Sequence, residues 1–140
     1  MHLELITLLG IKRDEQIYEL ILPTAAGEIA VFPGHEPLVT LAVPGVVAIR
    51  HNKGDADEKL EYFAISGGII EISQEKVRVL VDEADHSDDI TESEAKAALE
   101  RAVKLRESAK TQIEIDKAEQ IIGRQQVRLH VADLHRRRRR

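Results

Sequence analysis

The groups in this sequence that could do chemistry are a few histidines, clustered carboxylates and a terminal run of arginines. His35 lies between Pro33-Gly34 and Glu36-Pro37. It could serve as an acid/base or a metal ligand, but the setting suits a ring that bonds backbone in a tight turn. His51, His86, His130 and His135 stand in polar or terminal stretches without ligand-like spacing. Asp85, Asp88 and Asp89 lack the alternating oxygen ligands, turn glycine and final glutamate of a calcium loop, so they read as a solvated connection. Ser66-Gly67-Gly68 lacks the lysine and the length of a phosphate-cradling loop and reads as a strand corner. There is no nucleophile–base set. A non-catalytic protein without a metal is therefore expected.

Arg136, Arg137, Arg138, Arg139 and Arg140 are five consecutive cations. Such a run is either a solvated terminus or a handle for an acidic protein surface, nucleic acid or anionic lipid. The chain has no Trp, two Tyr and two Phe, so a base-stacking platform is not expected. The protein surface ranks first, and no nucleic-acid partner is expected.

The charges are unevenly placed. Residues 1–86 carry 7 Lys+Arg against 15 Asp+Glu, a net of −8, and residues 87–140 carry 13 against 10, a net of +3. Within 117–140 the count is 8 against 2, a net of +6. An acidic body with a basic tail suggests different partners for the two halves. With no cysteine, disulfides and thiolate metal sites are excluded. No apolar run approaches the roughly 20 residues that span a bilayer. The start does not resemble a secretory signal. A cytoplasmic protein without direct membrane insertion is expected. At 140 residues the chain suits one domain or a small domain with an appendage.

The elements that would position these groups differ between the halves. All four prolines and seven of the eight glycines precede residue 69. Leu3 and Leu5 alternate with polar neighbours, Tyr18, Leu20 and Leu22 share one face, and Val77, Val79 and Val81 share another. Runs at 28–32, 37–42, 46–50, 60–66 and 69–73 complete a series of short strands. Period-2 alternation with frequent turn residues predicts an antiparallel sandwich or barrel over residues 1–86. After a polar connection from Asp82 the pattern becomes helical over residues 87–140. Thr91-Glu-Ser-Glu94 reads as a capping box. Ala95, Ala98, Ala102, Leu105 and Ala109 form one stripe. Ile115, Ala118, Ile122, Gln125, Leu129 and Ala132 form a second. An antiparallel helical hairpin turning near 110–112 is predicted, with one long helix as the alternative. An alanine seam buries little apolar area, so the hairpin should be weakly held.

The stretch from Pro23 to Leu38, Pro-Thr-Ala-Ala-Gly-Glu-Ile-Ala-Val-Phe-Pro-Gly-His-Glu-Pro-Leu, is specific. Pro44-Gly45, Ser66-Gly-Gly-Ile-Ile-Glu71 and Val77-Arg-Val-Leu-Val-Asp-Glu-Ala84 follow in order. Over essentially its whole length the sequence resembles the epsilon subunit of F-type ATP synthases. The resemblance implies a β-sandwich of about ten strands followed by a two-helix antiparallel hairpin. It implies a rotor subunit of the central stalk, on the cytoplasmic face of the bacterial inner membrane, that couples proton flow to ATP synthesis and restrains ATP hydrolysis through mobile C-terminal helices. Glu28 lines up with the family's contact to the c-ring. Thr7, His35 and Thr40 line up with contacts to the gamma subunit. Arg124, Arg128 and Arg136–Arg140 would face the catalytic alpha and beta subunits, and the arginine run exceeds the family's usual pattern.

Some members of the family bind ATP through an Ile/Leu-Asp-x-x-Arg-Ala motif with further arginines. Ile113, Glu114, Lys117 and Ala118 are the matching stretch, followed by Arg124 and Arg128. Glu replaces Asp, and Lys replaces Arg without its bidentate fork. No cofactor is expected, and ATP binding should be weak or absent. A nucleotide-sensing subunit is the alternative function.

Overall fold

The computed structural model describes residues 1–138; Arg139 and Arg140 lie outside the described residues. Ten strands run in chain order: β1 (His2–Thr7), β2 (Gly10–Gln16), β3 (Glu19–Thr24), β4 (Gly27–Val31), β5 (Leu38–Ala42), β6 (Gly45–Arg50), β7 (Glu61–Ile65), β8 (Gly68–Ile72), β9 (Lys76–Val81) and β10 (Ala84–His86). Two helices follow, α1 (Glu92–Ser108) and α2 (Gln112–Arg138).

The strands form a sandwich closing toward a barrel. One sheet runs β10-β7-β6-β3-β4 and the other β5-β8-β9-β1-β2, joined at the single pairing of Thr24 with Ala42. Alternation decides which residues point inward. Leu3, Leu5, Leu20, Leu22, Val77, Val79 and Val81 are all buried in one cluster with Val31, Ile49, Phe63 and Ile70. Burying each such side chain contributes about 1.5–3 kcal/mol, which fixes register.

Three local expectations are corrected. The sandwich is not wholly antiparallel, because β1 pairs with β9 in parallel; most of the sandwich supplies the crossover between them. Strand β2 reads Gly-Ile-Lys-Arg-Asp-Glu-Gln and carries no apolar alternation, so its edge position was not legible. Strand β10 occupies part of the stretch read as a polar connection, where it pairs with β7.

The helices form the expected hairpin, turning at 109–111. The Thr91 side chain makes no cap hydrogen bond, contrary to the capping-box reading. The reciprocal cap occurs one helix later. The Glu114 amide donates to Thr111 Oγ1 at 3.2 Å, and Glu114 Oε2 accepts the Lys110 amide at 2.9 Å. These bonds end one helix and start the next without Gly or Pro. The seam is thin: Ala95 and Ala102 are the buried residues of α1, and Ala118, Ile122, Gln125 and Val131 those of α2. Leu105, expected in the seam, is exposed. α2 also packs on β6 and β7, so the helices lie against the first sheet. Among the described residues, the helices pack mainly on each other and on the first sheet rather than on the outer face of the second.

Candidate functional site: an apolar sheet face and a docked basic arm

Register across the second sheet places residues remote in sequence side by side. Leu41 pairs with Ile69, Ile69 with Leu80, Leu80 with Ile6, and Ile6 with Ile11. Leu41, Ile69, Leu80 and Ile6 point outward, since they alternate with core-facing neighbours, and Ile11 joins them opposite Ile6 after a register shift in the β1–β2 pairing. The result is one aliphatic row across β5, β8, β9, β1 and β2. Leu41 is 60% exposed, Ile69 44% and Ile11 62%. Beside it runs a charged row. Arg78 meets Glu4 at 3.1 Å and Glu71 at 3.7 Å, and Lys76 meets Glu4 at 2.5 Å. The Lys76 hydrogen bond, with help from Arg78, holds the Glu4 carboxyl below its ordinary value of 4.5 against some desolvation. An apolar stripe rimmed by polar residues is the surface chemistry of a protein interface.

The row continues into the β1–β2 turn, where Leu8 and Leu9 stand almost fully in solvent. That turn and the β3–β4 turn share one design. Thr7 Oγ1 donates to the Gly10 carbonyl (3.1 Å) and accepts the Leu9 amide (3.2 Å). Thr24 Oγ1 does the same with the Gly27 carbonyl (2.5 Å) and the Ala26 amide (3.2 Å). Gly10 and Gly27 have φ of 127° and 115°, which side-chain-bearing residues rarely adopt.

Each sequence-predicted residue now has a place. Glu28 is exposed but lies in β4, paired with Pro23, beside the second turn rather than in a loop. Thr7 is buried and its hydroxyl is committed to the turn, so it reaches a partner only through the turn it shapes. Thr40 pairs with the buried Ile70 and shares its inward-facing side. Its exposed neighbours Val39 and Leu41 are the surface residues, and sequence reasoning missed them. The signal available was Leu38-Val-Thr-Leu-Ala42, a strand with too few polar positions for one solvated face. His35 is half-buried beyond Gly34, and its ring Nδ1 bonds the Glu36 carbonyl at 2.6 Å. The structure does not gather Thr7, His35 and Thr40 into one cluster.

The basic arm lies on the chain's own carboxylates. Arg124 Nε is 2.7 Å from Glu83 Oε2, and Arg128 approaches Asp85 at 3.8 Å. Arg136 contacts Glu92 at 2.9 Å and Asp133 at 2.5 Å. Arg137 contacts Asp133 at 3.0 Å, and Arg138 stacks on Tyr62 with its guanidinium 5.7 Å from the ring centroid. The acidic body and basic tail therefore meet one another in this state. Both partners of the Arg124–Glu83 pair are about half exposed, so it contributes at most about 1 kcal/mol.

The residues of the nucleotide-like stretch do not converge. Ile113, Glu114 and Lys117 are exposed at the hairpin tip, Glu114 is occupied as a cap, and Ala118 is buried in the seam. Arg124 and Arg128 lie roughly 16 Å further along α2, at about 1.5 Å per residue. A cleft of about 410 Å³ between the helices is lined by Glu94, Ala95, Ala97, Ala98, Arg101 and Arg128. Arg128 alone among the candidates borders it.

The family model for the β-sandwich domain of the ATP synthase delta/epsilon chain matches residues 1–87. An ATP synthase epsilon chain of Chloroflexus aggregans is 32% identical over 140 residues, covering 100% of this chain and 97% of that one. One from Staphylococcus haemolyticus is 34% identical over 135 residues, covering 96% and 97%. A chain in the Euglena gracilis mitochondrial ATP synthase, solved as OSCP/F1/c-ring, superposes with a TM-score of 0.78 at 23% identity, over 93% of this chain and 79% of that. A chain from the Tetrahymena thermophila mitochondrial ATP synthase central stalk and c-ring gives 0.61 at 12% identity, over 94% and 96%.

Proposed function

Since the chain belongs to the epsilon subunits of F-type ATP synthase, we propose that it acts as a non-catalytic rotor subunit that couples proton flow to ATP synthesis and restrains hydrolysis. The aliphatic row Leu41–Ile69–Leu80–Ile6–Ile11 carries this reading. It is a rigid, outward-facing surface on the sheet that the helices leave bare, and it suits permanent attachment to the gamma subunit. His35 precedes β5 and Thr40 lies on its inner side, so their proposed contribution to the gamma contact is through the position of β5, while Thr7 supports the far end of the row through the β1–β2 turn. The exposed Glu28 carboxylate beside Gly27 supports the reading of a contact with basic loops of the c-ring.

The docked arm supplies the regulatory half of the reading. Its apolar seam is mostly alanine and its ion pairs are half exposed, so little free energy holds it. Once released, Arg124, Arg128 and the arginine run become available to acidic surfaces of the alpha and beta subunits. No described helix is long and apolar enough to cross a membrane. The proposed location is peripheral, on the cytoplasmic face of the bacterial inner membrane. The test is ATP hydrolysis by the reconstituted catalytic complex, with the whole chain and with residues 87–140 removed. Faster hydrolysis with the shortened chain is expected, and equal rates would reject the restraint.

A further inference from the structure

His51, His86 and His135 sit among carboxylates where the sandwich meets the helices. Arg13 and Glu15 lie on the inward side of β2, since they pair with the buried Leu5 and Leu3. Arg13 Nε donates to Glu61 Oε1 of β7 at 2.9 Å, and a second guanidinium nitrogen donates to Oε2 at 3.2 Å. His51 lies 3.7 Å from Glu15 and 3.8 Å from Glu61. Burial alone would raise the Glu61 carboxyl, but Arg13, helped by His86 and His51, holds it below its ordinary value of 4.5. His86 of β10 lies 3.3 Å from Glu61 Oε2, and its Nδ1 accepts the Asp88 amide at 3.0 Å. A backbone amide can only donate, so that bond belongs to the neutral ring. The third histidine is on the arm. His135 occupies the last turn of α2, and its side chain is 14% exposed. Its Nε2 lies 3.0 Å from Asp88 Oδ1, and its Nδ1 lies 3.3 Å from the Ser87 hydroxyl. Ser87 is buried in the single 3-10 turn, Ser87–Asp89, that links the sandwich to α1.

We propose that His135 and Asp88 form a proton-operated clamp that fastens the end of α2 to the linker at acidic pH and loosens as pH rises. Imidazole gains its charge between about pH 8 and about pH 5, a range over which a carboxylate keeps its own. A protonated His135 adds a charge attraction to Asp88 that the neutral ring lacks. The carbonyls that end a helix also favour a cation there. The Ser87 hydroxyl serves both states, since it can accept from a protonated Nδ1 or donate to a bare one. The other charges on the elements packed at this end of α2 are engaged elsewhere. Glu92 of α1 and Asp133 of α2 hold Arg136, Asp133 also holds Arg137, and Arg138 lies over Tyr62 of β7. Arg128 faces Asp85 of β10. Asp89 adds a second carboxylate beside Asp88. Arginines and carboxylates do not change charge over this range, which leaves His135 as the titrating group of the contact. Asp88 is exposed, so the pair shifts the balance only severalfold. That is enough to matter, because the alanine seam holds the arm weakly.

The test is the position of the arm in the isolated full-length chain. The sequence has no cysteine, so dyes at Lys53→Cys and Gln126→Cys, both exposed positions, report the distance between the sandwich and α2. From about pH 6 to about pH 8 the ratio of docked to released arm should fall about two- to fivefold. His135→Gln and Asp88→Asn should each flatten that profile, whereas His2→Gln, His51→Gln and His130→Gln should keep it. Asp88→Asn alters an exposed side chain, so a folded variant is available even if His135→Gln disturbs α2. An arm indifferent to pH in the unsubstituted chain would overturn the clamp. So would a profile that survives His135→Gln and vanishes with His86→Gln. Any consequence for ATP hydrolysis rests on the restraint proposed above, but the position of the arm does not. A pH-dependent arm, in a complex whose hydrolysis is unchanged by removing residues 87–140, would support the clamp and reject the restraint.

Discussion

Arg124 Nε sits 2.7 Å from Glu83 Oε2, tying the middle of α2 to the segment between β9 and β10. An arginine proposed to act on another subunit is thus held by this chain's own carboxylate. Removing one partner or the other should have opposite consequences. Glu83→Gln combined with Asp85→Asn releases the arm while leaving its arginines intact. In the assembled complex it should deepen the restraint on ATP hydrolysis. Arg124→Ala with Arg128→Ala also releases the arm but removes the cations, and should relieve the restraint. Hydrolysis rates, together with a fluorescence distance between the sandwich and α2, check both. Equal effects of the two double variants would sink the docking account.

Leu41→Glu should weaken attachment to gamma without unfolding the sandwich, because Leu41 is exposed and lies on the bare sheet. A leucine buried in an interface contributes about 1.5–3 kcal/mol. An affinity loss of about 10- to 100-fold or more is expected. Co-purification with gamma and an unchanged circular dichroism spectrum are the readouts.

Gly68→Ala and Gly123→Ala should move stability in opposite directions. A Cβ on Gly68 would lie 2.0 Å from the Leu80 carbonyl oxygen, so β8 and β9 would have to separate. A loss of about 3 kcal/mol or more is expected. A Cβ on Gly123 meets nothing within 4 Å, and alanine there should stabilise α2 by about 1 kcal/mol. Thermal unfolding of the two variants decides.

Glu4 carries a pH dependence with a definite sign. Its folded-state pKa is lowered, chiefly by Lys76. Its contribution is therefore present above the ordinary value of 4.5 and is lost as pH falls through the lower folded value. Urea unfolding from about pH 6 to about pH 3 should show a steeper fall for the wild-type chain than for Glu4→Gln. Identical profiles would show that the Lys76 and Arg78 contacts do not hold in solution.

ATP should give no saturable calorimetric signal in the micromolar range, since Glu114 is spent as a cap and the arginines point to Glu83 and Asp85. Micromolar, magnesium-independent binding that disappears in Glu114→Ala would reinstate the nucleotide-sensing alternative.

Alternation by itself settled the inward set of the sandwich. Leu20, Leu22, Val77 and Val79 could face only one way once a core existed, because a strand turns successive side chains to opposite sides. Helical spacing likewise placed Ala95, Ala102, Ala118 and Ile122. Pro23–Leu38 carried the family, and with it Glu28 beside its turn. Tertiary structure alone decided which surfaces form. Ile6, Ile11, Leu41, Ile69 and Leu80 are unremarkable one by one and become a row through pairings spanning most of the first 80 residues. Arg13 and Glu15 look like solvated charges on a polar edge strand until β7 closes over them. The basic tail reads as a handle for others until Glu83 and Asp85 are brought beneath α2. In each case the deciding quantity is register or docking between segments far apart in the chain, which depends on the packing of the whole core and leaves no local pattern.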